Sequence, residues 1–264
     1  MSEPTHVAGA ACRLEYLVGL ASAAVPLDGA SPHHHPLVTP AESRVVPDCK
    51  AKLGLISWNI ARKDPGRFLT EIQTDIACFQ EVRAPAGRGR LIGWKEYANT
   101  NGKNNGVAIY LNAELSRLVV DSGADKDCRV IWVDLATSSK LQGLRIISCY
   151  APHSGHTAAA VKQFTRDLQQ AMSTTHNVLI GGDLNVAMQP GLDCPADCNH
   201  YNSYLRHTIS GLAADAYRHL HPTETSNGYT RYSARLDYWL VSASILPSVS
   251  YCEPDCALPK LSDH

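Results

Sequence analysis

The stretch 177–185, Asn-Val-Leu-Ile-Gly-Gly-Asp-Leu-Asn, combines a predicted buried strand with side chains that could do chemistry. Its apolar run at 178–180 is too short for a helix and typical of a covered strand. The two glycines predict a tight turn or the close approach of a ligand. Asp183 and Asn185 would point to the same face of an extended chain. An acid and an amide here suit an active site, although an ordinary strand-to-loop turn has a similar composition.

Polar side chains stand in the same way at the ends of other predicted strands. These residues are Asn59, Glu81, Tyr150, Asp237, and Asp263 with His264. One such residue is ordinary, but the repetition is typical of a site on which several strands converge. The sequence therefore predicts one polar site built from many strand ends.

The elements that would position these residues are mostly strands. Apolar and β-branched runs predict strands at 53–59, 75–81, 107–111, 115–120, 130–135, 144–150, 177–183, 236–241 and 249–251. Helical spacing of apolar residues predicts helices at 65–73, 157–172 and parts of 200–219. Many strands with few helices favour an α/β sandwich of two packed sheets flanked by helices. No GxGxxG or P-loop pattern is present.

Composition limits the classes of partner. With 44% hydrophobic and 19% charged residues in 264, the chain has an ordinary globular composition. A formal net charge of −1 gives no overall attraction to nucleic acid or membrane, so an anionic substrate needs local positive charge or a metal. No apolar run is long enough to span a membrane, and no membrane partner is expected.

Domain organisation is predicted from periodicity and proline content. Residues 1–50 are expected to be a mostly disordered leader with a short helix over 11–24, and 51–264 to be the folded domain. The apolar run 16–27 has only Arg13 before it as a fixed positive charge, which disfavours a secretory signal. Nine scattered cysteines fit a reducing compartment better than a disulfide framework. We therefore expect an intracellular protein.

Short motifs in a fixed order then resemble those of the endonuclease/exonuclease/phosphatase superfamily. They are Trp58-Asn59, Gln80-Glu81, Tyr150-Ala151-Pro152, Gly182-Asp183-Leu184-Asn185, Arg235-Leu236-Asp237-Tyr238 and Ser262-Asp263-His264. That group includes exonuclease III, apurinic endonucleases, DNase I and sphingomyelinases. The resemblance implies a DNase I-like, four-layer α/β sandwich over residues 53–264.

Three segments resemble one branch of that superfamily. Residues 150–152, 211–218 and 234–239 are most similar to the apurinic-endonuclease-like domain of non-LTR (LINE-type) retrotransposons. This resemblance implies a hydrolase that nicks DNA, with DNA as its partner and a nuclear location. It implies no obligate protein partner.

Phosphodiester hydrolysis must activate a water, neutralise charge in the transition state and stabilise a leaving alkoxide. Glu81 is a hard oxygen ligand suited to Mg²⁺, with Mn²⁺ as the alternative. The resemblance adds Asp263 and Asn59 to this metal site. Asp183 would orient or deprotonate the water. Asn185 would hold the water or a phosphate oxygen through an amide that stays neutral at any pH.

The other predicted site residues would contact phosphate. Protonated His264 would face a non-bridging phosphate oxygen, and Asp237 would hold its imidazole and favour the charged form. Tyr150 and Asn59 would donate hydrogen bonds to phosphate or to Glu81. For these two, the alternatives are a half-buried core ring and a strand cap.

One position departs from the family pattern. Resembling sequences carry Asn at or near the residue after Tyr-Ala-Pro, where this chain has His153. An imidazole can still donate to a phosphate, but the number of its donors depends on protonation. The substitution therefore affects the expected rate or pH optimum.

Two further groups of residues have alternative interpretations. The basic stretch 83–103, with Arg83, Arg88 and Arg90, could contact a DNA backbone or be a plain solvated loop. The matched pairs Cys194/Cys198 and Cys252/Cys256 could bind zinc, although their spacing is wider than C-x₂-C and favours plain cysteines.

The end of the printed sequence adds a last expectation. In the resembling family an apolar final strand follows Ser-Asp-His, whereas His264 ends this sequence. The domain should therefore lack that strand, leave an open sheet position and be weak or inactive as a nuclease. The alternatives are an apurinic-site or exonuclease III-like repair nuclease, a phosphatase or sphingomyelinase, and an inactive element fragment.

Overall fold

The computed structural model describes residues 11–18, 51–70, 72–83, 91–102, 106–136, 143–195, 203–225, 228–231 and 233–255. Within these ranges, the strands form two six-stranded mixed sheets packed against each other, with helices on the outer faces. This arrangement confirms the predicted four-layer α/β sandwich.

The first sheet contains two neighbouring parallel strands at its centre. Its strands are β1 (Ala11–Val18), β2 (Ala51–Asn59), β3 (Ile76–Gln80), β4 (Trp94–Thr100), β5 (Gly106–Asn112) and β12 (Val249–Asp255). They lie in the order β12-β1-β2-β3-β5-β4. Only the β2–β3 pair is parallel among these strands, with Asn59 opposite Gln80. The carboxyl ends of both strands therefore meet at one edge of the sheet.

The second sheet repeats this arrangement. Its strands are β6 (Val119–Ala124), β7 (Val130–Leu135), β8 (Leu144–Tyr150), β9 (Asn177–Asp183), β10 (Ala214–Asp215) and β11 (Asp237–Val241). They lie in the order β10-β11-β9-β8-β7-β6. The β8–β9 pair is parallel and places Tyr150 opposite Asp183, while antiparallel β11 places Asp237 opposite the same residue.

Five helices of the described chain pack against the sheets; the first, third and fourth lie on the outer faces, whereas the second and fifth contribute to the core between the sheets. They are α1 (Pro65–Leu69), α2 (Ala113–Ser116), α3 (Ala158–Met172), α4 (Ser203–Ser210) and α5 (Ala216–Leu220). The long helix α3 confirms the prediction for 157–172, and it buries Val161, Phe164 and Leu168 against the second sheet. The side chain of Thr157 caps its start by accepting from the Ala160 N–H.

The predicted strand at 115–120 is wrong in its first half. Asn112 accepts a hydrogen bond from the Leu115 N–H at 2.9 Å, and this cap starts the short helix α2. Strand β6 begins only at Val119. The basic stretch 83–103 also contains a strand that the sequence analysis missed, β4 at the edge of the first sheet.

The two glycines before Asp183 serve packing and not a turn, which corrects the sequence-based expectation. Both lie inside β9, without the positive φ that favours glycine. A Cβ at Gly181 would lie 2.7 Å from the ring of Trp239, and one at Gly182 would lie 2.3 Å from the carbonyl oxygen of Cys149. Absent side chains therefore let the backbone of β9 approach its neighbours at the centre of the domain.

Residues 11–18 correct the prediction of a disordered leader and of a helix over 11–24. They form β1, which pairs with β2 on one side and with β12 on the other. Cys12 and Leu14 are buried, whereas Arg13 and Glu15, which alternate with them, are half-buried. The run therefore has the alternation of a strand. Residues 1–10 and 19–50 lie outside the described residues. Strand β2 therefore has a partner on each side, β1 and β3.

No helix in the described part of the chain is both long enough and apolar enough to cross a membrane.

A substitution in β1 tests whether this strand belongs to the folded domain. Leu14 is fully buried in the core, so Leu14→Ala should lower the free energy of unfolding by about 2–5 kcal/mol. The matched control is Glu15→Ala, because Glu15 forms a partly exposed ion pair with Lys52, and such a pair contributes at most about 1 kcal/mol. Urea denaturation of both variants would measure the difference. Wild-type stability of Leu14→Ala would show that β1 is not part of the core.

Candidate active site

The carboxyl ends of the two parallel strand pairs meet at one place in the molecule. Asn59 ends β2 and Glu81 directly follows β3 in the first sheet, while Tyr150 ends β8 and Asp183 ends β9 in the second. Hydrogen bonds join residues of both sheets there. The structure therefore brings together four of the predicted site residues at the seam between the sheets.

Asn59 links two carboxylates across this seam. Its side-chain nitrogen donates to Glu81 Oε1 at 3.1 Å and to Asp183 Oδ2 at 3.0 Å. Its side-chain oxygen accepts from the Ala61 N–H at 3.0 Å, which fixes the orientation of the amide. The nitrogen cannot bind a cation, and it is the atom that faces both carboxylates. This geometry favours an orienting role over the metal-ligand role predicted for Asn59.

Tyr150 is a second donor to the same carboxylate. Its hydroxyl donates to Glu81 Oε1 at 3.0 Å. Burial, together with the charges of Asp183 and Glu81, raises the pKa of Tyr150 well above its ordinary value. The phenol therefore stays protonated at neutral pH and remains a hydrogen-bond donor.

Asp183 is fully buried, and a tight turn holds its carboxylate. The Asn185 N–H donates to Asp183 Oδ1 at 2.9 Å, and the Asn185 amide donates to the Ala151 carbonyl at 2.9 Å. Asn185 has a φ of +49°, so the chain turns after β9. The two residues are neighbours, as predicted, but through this turn and not through a shared face of an extended strand.

Left-handed backbone conformations concentrate around these residues. Among the described non-glycine residues, Ala61, Arg62, Glu81, Asn185 and one distant residue have positive φ, between +47° and +69°. Such conformations are unfavourable for most side chains and persist where the surrounding contacts hold them. They re-aim the chain directly after β2, β3 and β9, where the site residues stand.

Asp237 is positioned by a threonine that the sequence analysis missed. Asp237 is buried and starts β11, opposite Asp183. The backbone N–H groups of Leu236 and Asp237 both donate to the Thr230 hydroxyl, at 3.0 and 3.1 Å. A lone threonine in a loop gives no sequence pattern that would reveal this contact.

A cavity of about 390 Å³ opens beside Glu81. Its lining residues are Arg62, Glu81, Tyr150, His153, Ser154, Asn185 and Arg231. His153, for which the sequence predicts a phosphate contact, is one of these lining residues. Arg62 and Arg231 are cations that the sequence did not predict as site residues, because isolated arginines in loops form no motif. Arg62 Nε lies 3.5 Å from Glu81 Oε2.

Of the predicted site residues that the structure describes, Asn59, Asp183 and Asp237 do not line this cavity. His264, Asp263, Arg88 and Arg90 lie outside the described residues. Arg83 is exposed and does not line the cavity.

The predicted zinc pairs are described only in part. Cys194 is buried and disulfide-bonded, so it has no thiolate to offer a metal. Cys252 is a free, buried thiol. Cys198 and Cys256 lie outside the described residues.

Two places among the described residues could attract a divalent cation. Glu81 has a partly exposed carboxylate at the wall of a polar cavity, which fits a hard cation that keeps most of its waters. A second acidic group, Asp125, Asp127 and Asp167, has carboxylate oxygens within 4.8 Å of one another. The Asp125 carboxylate already accepts hydrogen bonds from three backbone N–H groups, which gives it a structural role in its turn.

A buried network of ion pairs holds the chain next to strand β11. Asp193 accepts hydrogen bonds from Arg218 Nε at 3.0 Å and from Arg235 Nε at 3.1 Å, and Arg235 also reaches Asp215 at 3.0 Å. These residues belong to the segments 211–218 and 234–239 and to the turn after Met188. The network fixes the chain that leads into Asp237.

The model of the Endonuclease/Exonuclease/phosphatase family matches residues 56–264. No curated protein gives a significant match to the chain.

Solved structures share the fold at low sequence identity. An AP endonuclease, LMAP, from Leishmania major has a TM-score of 0.64 and 18% identity, covering 80% of this chain and 84% of that one. An AP endonuclease from Archaeoglobus fulgidus has a TM-score of 0.63 and 20% identity, covering 80% and 95%. The 3′ phosphatase NExo from Neisseria, bound to product DNA hairpin, has a TM-score of 0.60 and 20% identity, covering 74% and 88%.

Removing one member of the ion network should destabilise the domain. Arg235 is almost fully buried, so Arg235→Ala leaves Asp193 and Asp215 without its charge and should cost about 3–5 kcal/mol. Arg166→Ala, on the exposed face of α3, is the matched control and should change stability by less than about 0.5 kcal/mol. Chemical denaturation measures both. Equal stability of the two variants would mean that the network does not support the fold.

Proposed function

Because the chain belongs to the endonuclease/exonuclease/phosphatase family, we propose that it is a divalent-metal-dependent phosphodiesterase that nicks one strand of DNA. The observation that carries the proposal is the Asn59 bridge between Glu81 and Asp183 beside a cavity lined by cations. One carboxylate suits a metal and the other suits a water molecule, and the cations suit a phosphate.

Glu81 is the proposed ligand for Mg²⁺, with Mn²⁺ as the alternative. A bound divalent cation would supply charge neutralisation for the phosphate. Asn59 and Tyr150 both donate to Glu81 Oε1, which leaves Oε2 toward Arg62. These donors hold the carboxylate in one orientation, as a metal ligand requires. Asp263 remains in the proposal as a neighbour of the metal on the strength of the motif alone.

Asp183 is the proposed group that orients or deprotonates the attacking water. Its Oδ2 accepts from Asn59 and its Oδ1 from the Asn185 N–H, so the carboxylate is held on both sides. A carboxylate fixed in this way can direct a water at a phosphorus atom with little loss of entropy. The Asn185 side chain lines the cavity and can hold the water or a phosphate oxygen.

The cavity carries local positive charge, although the chain as a whole has a formal net charge of −1. The arginines Arg62 and Arg231 line it together with the imidazole of His153 and one carboxylate, Glu81. We propose that the two arginines and His153 bind the oxygens of the scissile phosphate and its neighbours. In the same proposal His264 faces a phosphate oxygen, and the buried Asp237 holds its imidazole.

The finer subtype we propose is a retrotransposon-type (LINE-type) endonuclease. The supporting segments are 211–218 and 234–239, whose charged residues Asp215, Arg218 and Arg235 form the buried ion network. Because these residues stabilise the scaffold and do not line the cavity, they carry little information about the substrate. An apurinic-site nuclease is the second candidate, favoured by the AP endonucleases among the structural neighbours.

Nicking of supercoiled plasmid tests the activity and the metal site together. Wild-type protein should convert plasmid to open circles with Mg²⁺ and should do nothing after EDTA is added. Asp183→Asn and Glu81→Gln should each lower the rate by several powers of ten, because cooperating catalytic groups fail together. Asp167→Asn is the matched control, since it removes one acid from the second acidic group.

The outcomes of this experiment separate the two candidate cation sites. Full activity of Glu81→Gln together with loss in Asp167→Asn would move the metal to the second acidic group. Metal-dependent nicking that survives in Asp183→Asn would overturn the role of Asp183. Unchanged thermal melting of each variant is required as a check of folding.

The substrate distinguishes the two nuclease candidates. We expect similar rates on plain duplex and on the same duplex with one abasic site, as suits an enzyme that nicks intact DNA. A preference of 100-fold or more for the abasic duplex, about 2.7 kcal/mol of transition-state discrimination, would replace the proposal with an apurinic-site nuclease. Release of inorganic phosphate without strand cleavage would indicate a phosphatase.

A further inference from the structure

A turn with two histidines forms one wall of the cavity. His153 to His156 connect β8 to α3, and the His156 N–H donates to the His153 carbonyl at 3.0 Å. The two rings lie edge to face, with centroids 4.0 Å apart and planes at 71°. His153 is exposed and lines the cavity, whereas His156 is half-buried beside it.

The hydrogen bond to His153 fixes which nitrogen of its ring carries a proton. The Gly155 N–H donates to His153 Nδ1 at 3.1 Å. A nitrogen that accepts a hydrogen bond has no proton, so the proton of the neutral ring is on Nε2. A Cβ at Gly155 would lie 2.9 Å from His153 Cε1, so a larger residue there would push this exposed ring aside.

The contact with Arg129 fixes the second ring in the opposite form. Arg129 places a guanidinium nitrogen 3.0 Å from His156 Nε2. A guanidinium only donates, so Nε2 of His156 accepts and its proton is on Nδ1. Burial, His153 and Arg129 together lower the pKa of His156, which keeps the ring neutral at pH 7.

Arg129 connects this turn to the site residues. It is buried, and its other terminal nitrogen donates to the Tyr150 carbonyl at 3.0 Å. Its guanidinium also lies 5.3 Å from the centre of the Tyr150 ring. One buried cation therefore holds both the end of β8, where Tyr150 donates to Glu81, and the ring that packs against His153.

We propose that Arg129 and His156 are positioning residues that keep the His153 ring oriented with its Nε2–H toward a phosphate oxygen of the substrate. This inference rests on the proposed function, because it needs a phosphate in the cavity. In this orientation the ring offers the phosphate one directed hydrogen bond from Nε2. Protonation of His153 at Nδ1 would instead break its hydrogen bond from Gly155.

The protonated nitrogen of each ring can be measured without any substrate. Long-range ¹H–¹⁵N correlation spectra of the full ¹⁵N-labelled chain at pH 7 should show His153 as the Nε2–H form and His156 as the Nδ1–H form. The missing signals of His153→Gln and His156→Gln assign the two rings. In His156→Phe, we expect His153 to become a mixture of forms. An Nδ1–H form of His153 in the wild type, or an unchanged His153 in His156→Phe, would overturn the proposal.

Kinetics on plasmid DNA test whether His156 acts through His153. His156→Phe should lower kcat/KM by about tenfold, the value of one hydrogen bond to a charged group, mainly through a higher KM. His156→Gln keeps an acceptor for Arg129 and should restore most of the loss. His176→Phe, a half-buried histidine beside Asp134, is the matched control.

A double-mutant cycle separates positioning from general destabilisation. If His156 acts through His153, His156→Phe should cost nothing further in a His153→Ala background. Additive losses, or an equal loss in His176→Phe, would contradict the proposal. Absence of any nicking by the wild type would refute the proposed function, and the ring spectra would still decide the state of His153.

Discussion

Two carboxylates held by one amide are the interaction on which the site depends. Glu81 and Asp183 come from different sheets, and the side-chain nitrogen of Asn59 lies 3.1 and 3.0 Å from their oxygens. Like charges at such proximity repel, and donors on both sides offset the repulsion. The hydroxyl of Tyr150 and the guanidinium of Arg62 provide two more such partners for Glu81. A shift of one sheet relative to the other would break this bridge, so the packing of the sheets and the chemistry are linked.

Close packing of the sheets near the site makes the bridge possible. Gly181 leaves room for the Trp239 ring, and a Cβ there would lie 3.1 Å from the Ser57 side chain of the facing sheet. Gln80 donates to Ser57 and to Ser148, at 3.3 Å in both cases, and so joins the sheets directly before Glu81. Small and polar side chains at this end thus replace the large apolar ones that separate the sheets elsewhere.

The structure also separates motifs that build the scaffold from residues that face the cavity. Arg235 and Arg218 stand in segments that suggest a retrotransposon endonuclease, yet both are buried against Asp193. The residues that face the cavity include Arg62 and Arg231, which belong to no motif. The motif residues therefore build the scaffold and the core of the site, whereas the two cavity arginines come from loops outside the motifs.

The sequence by itself determined the sandwich, helix α3 and the strand-end residues Asn59, Glu81, Tyr150 and Asp183. Apolar periodicity and polar strand ends are local signals, so one sequence is enough to find them. The tertiary structure decided what is not local. It placed β1 in a sheet although its alternating run is short, and it assigned the two glycines of β9 to packing. It also brought Arg62 to the site from one loop, and Thr230 and Arg231 from another. Contacts between residues far apart in the chain leave no periodic trace, because only the folded backbone brings them together.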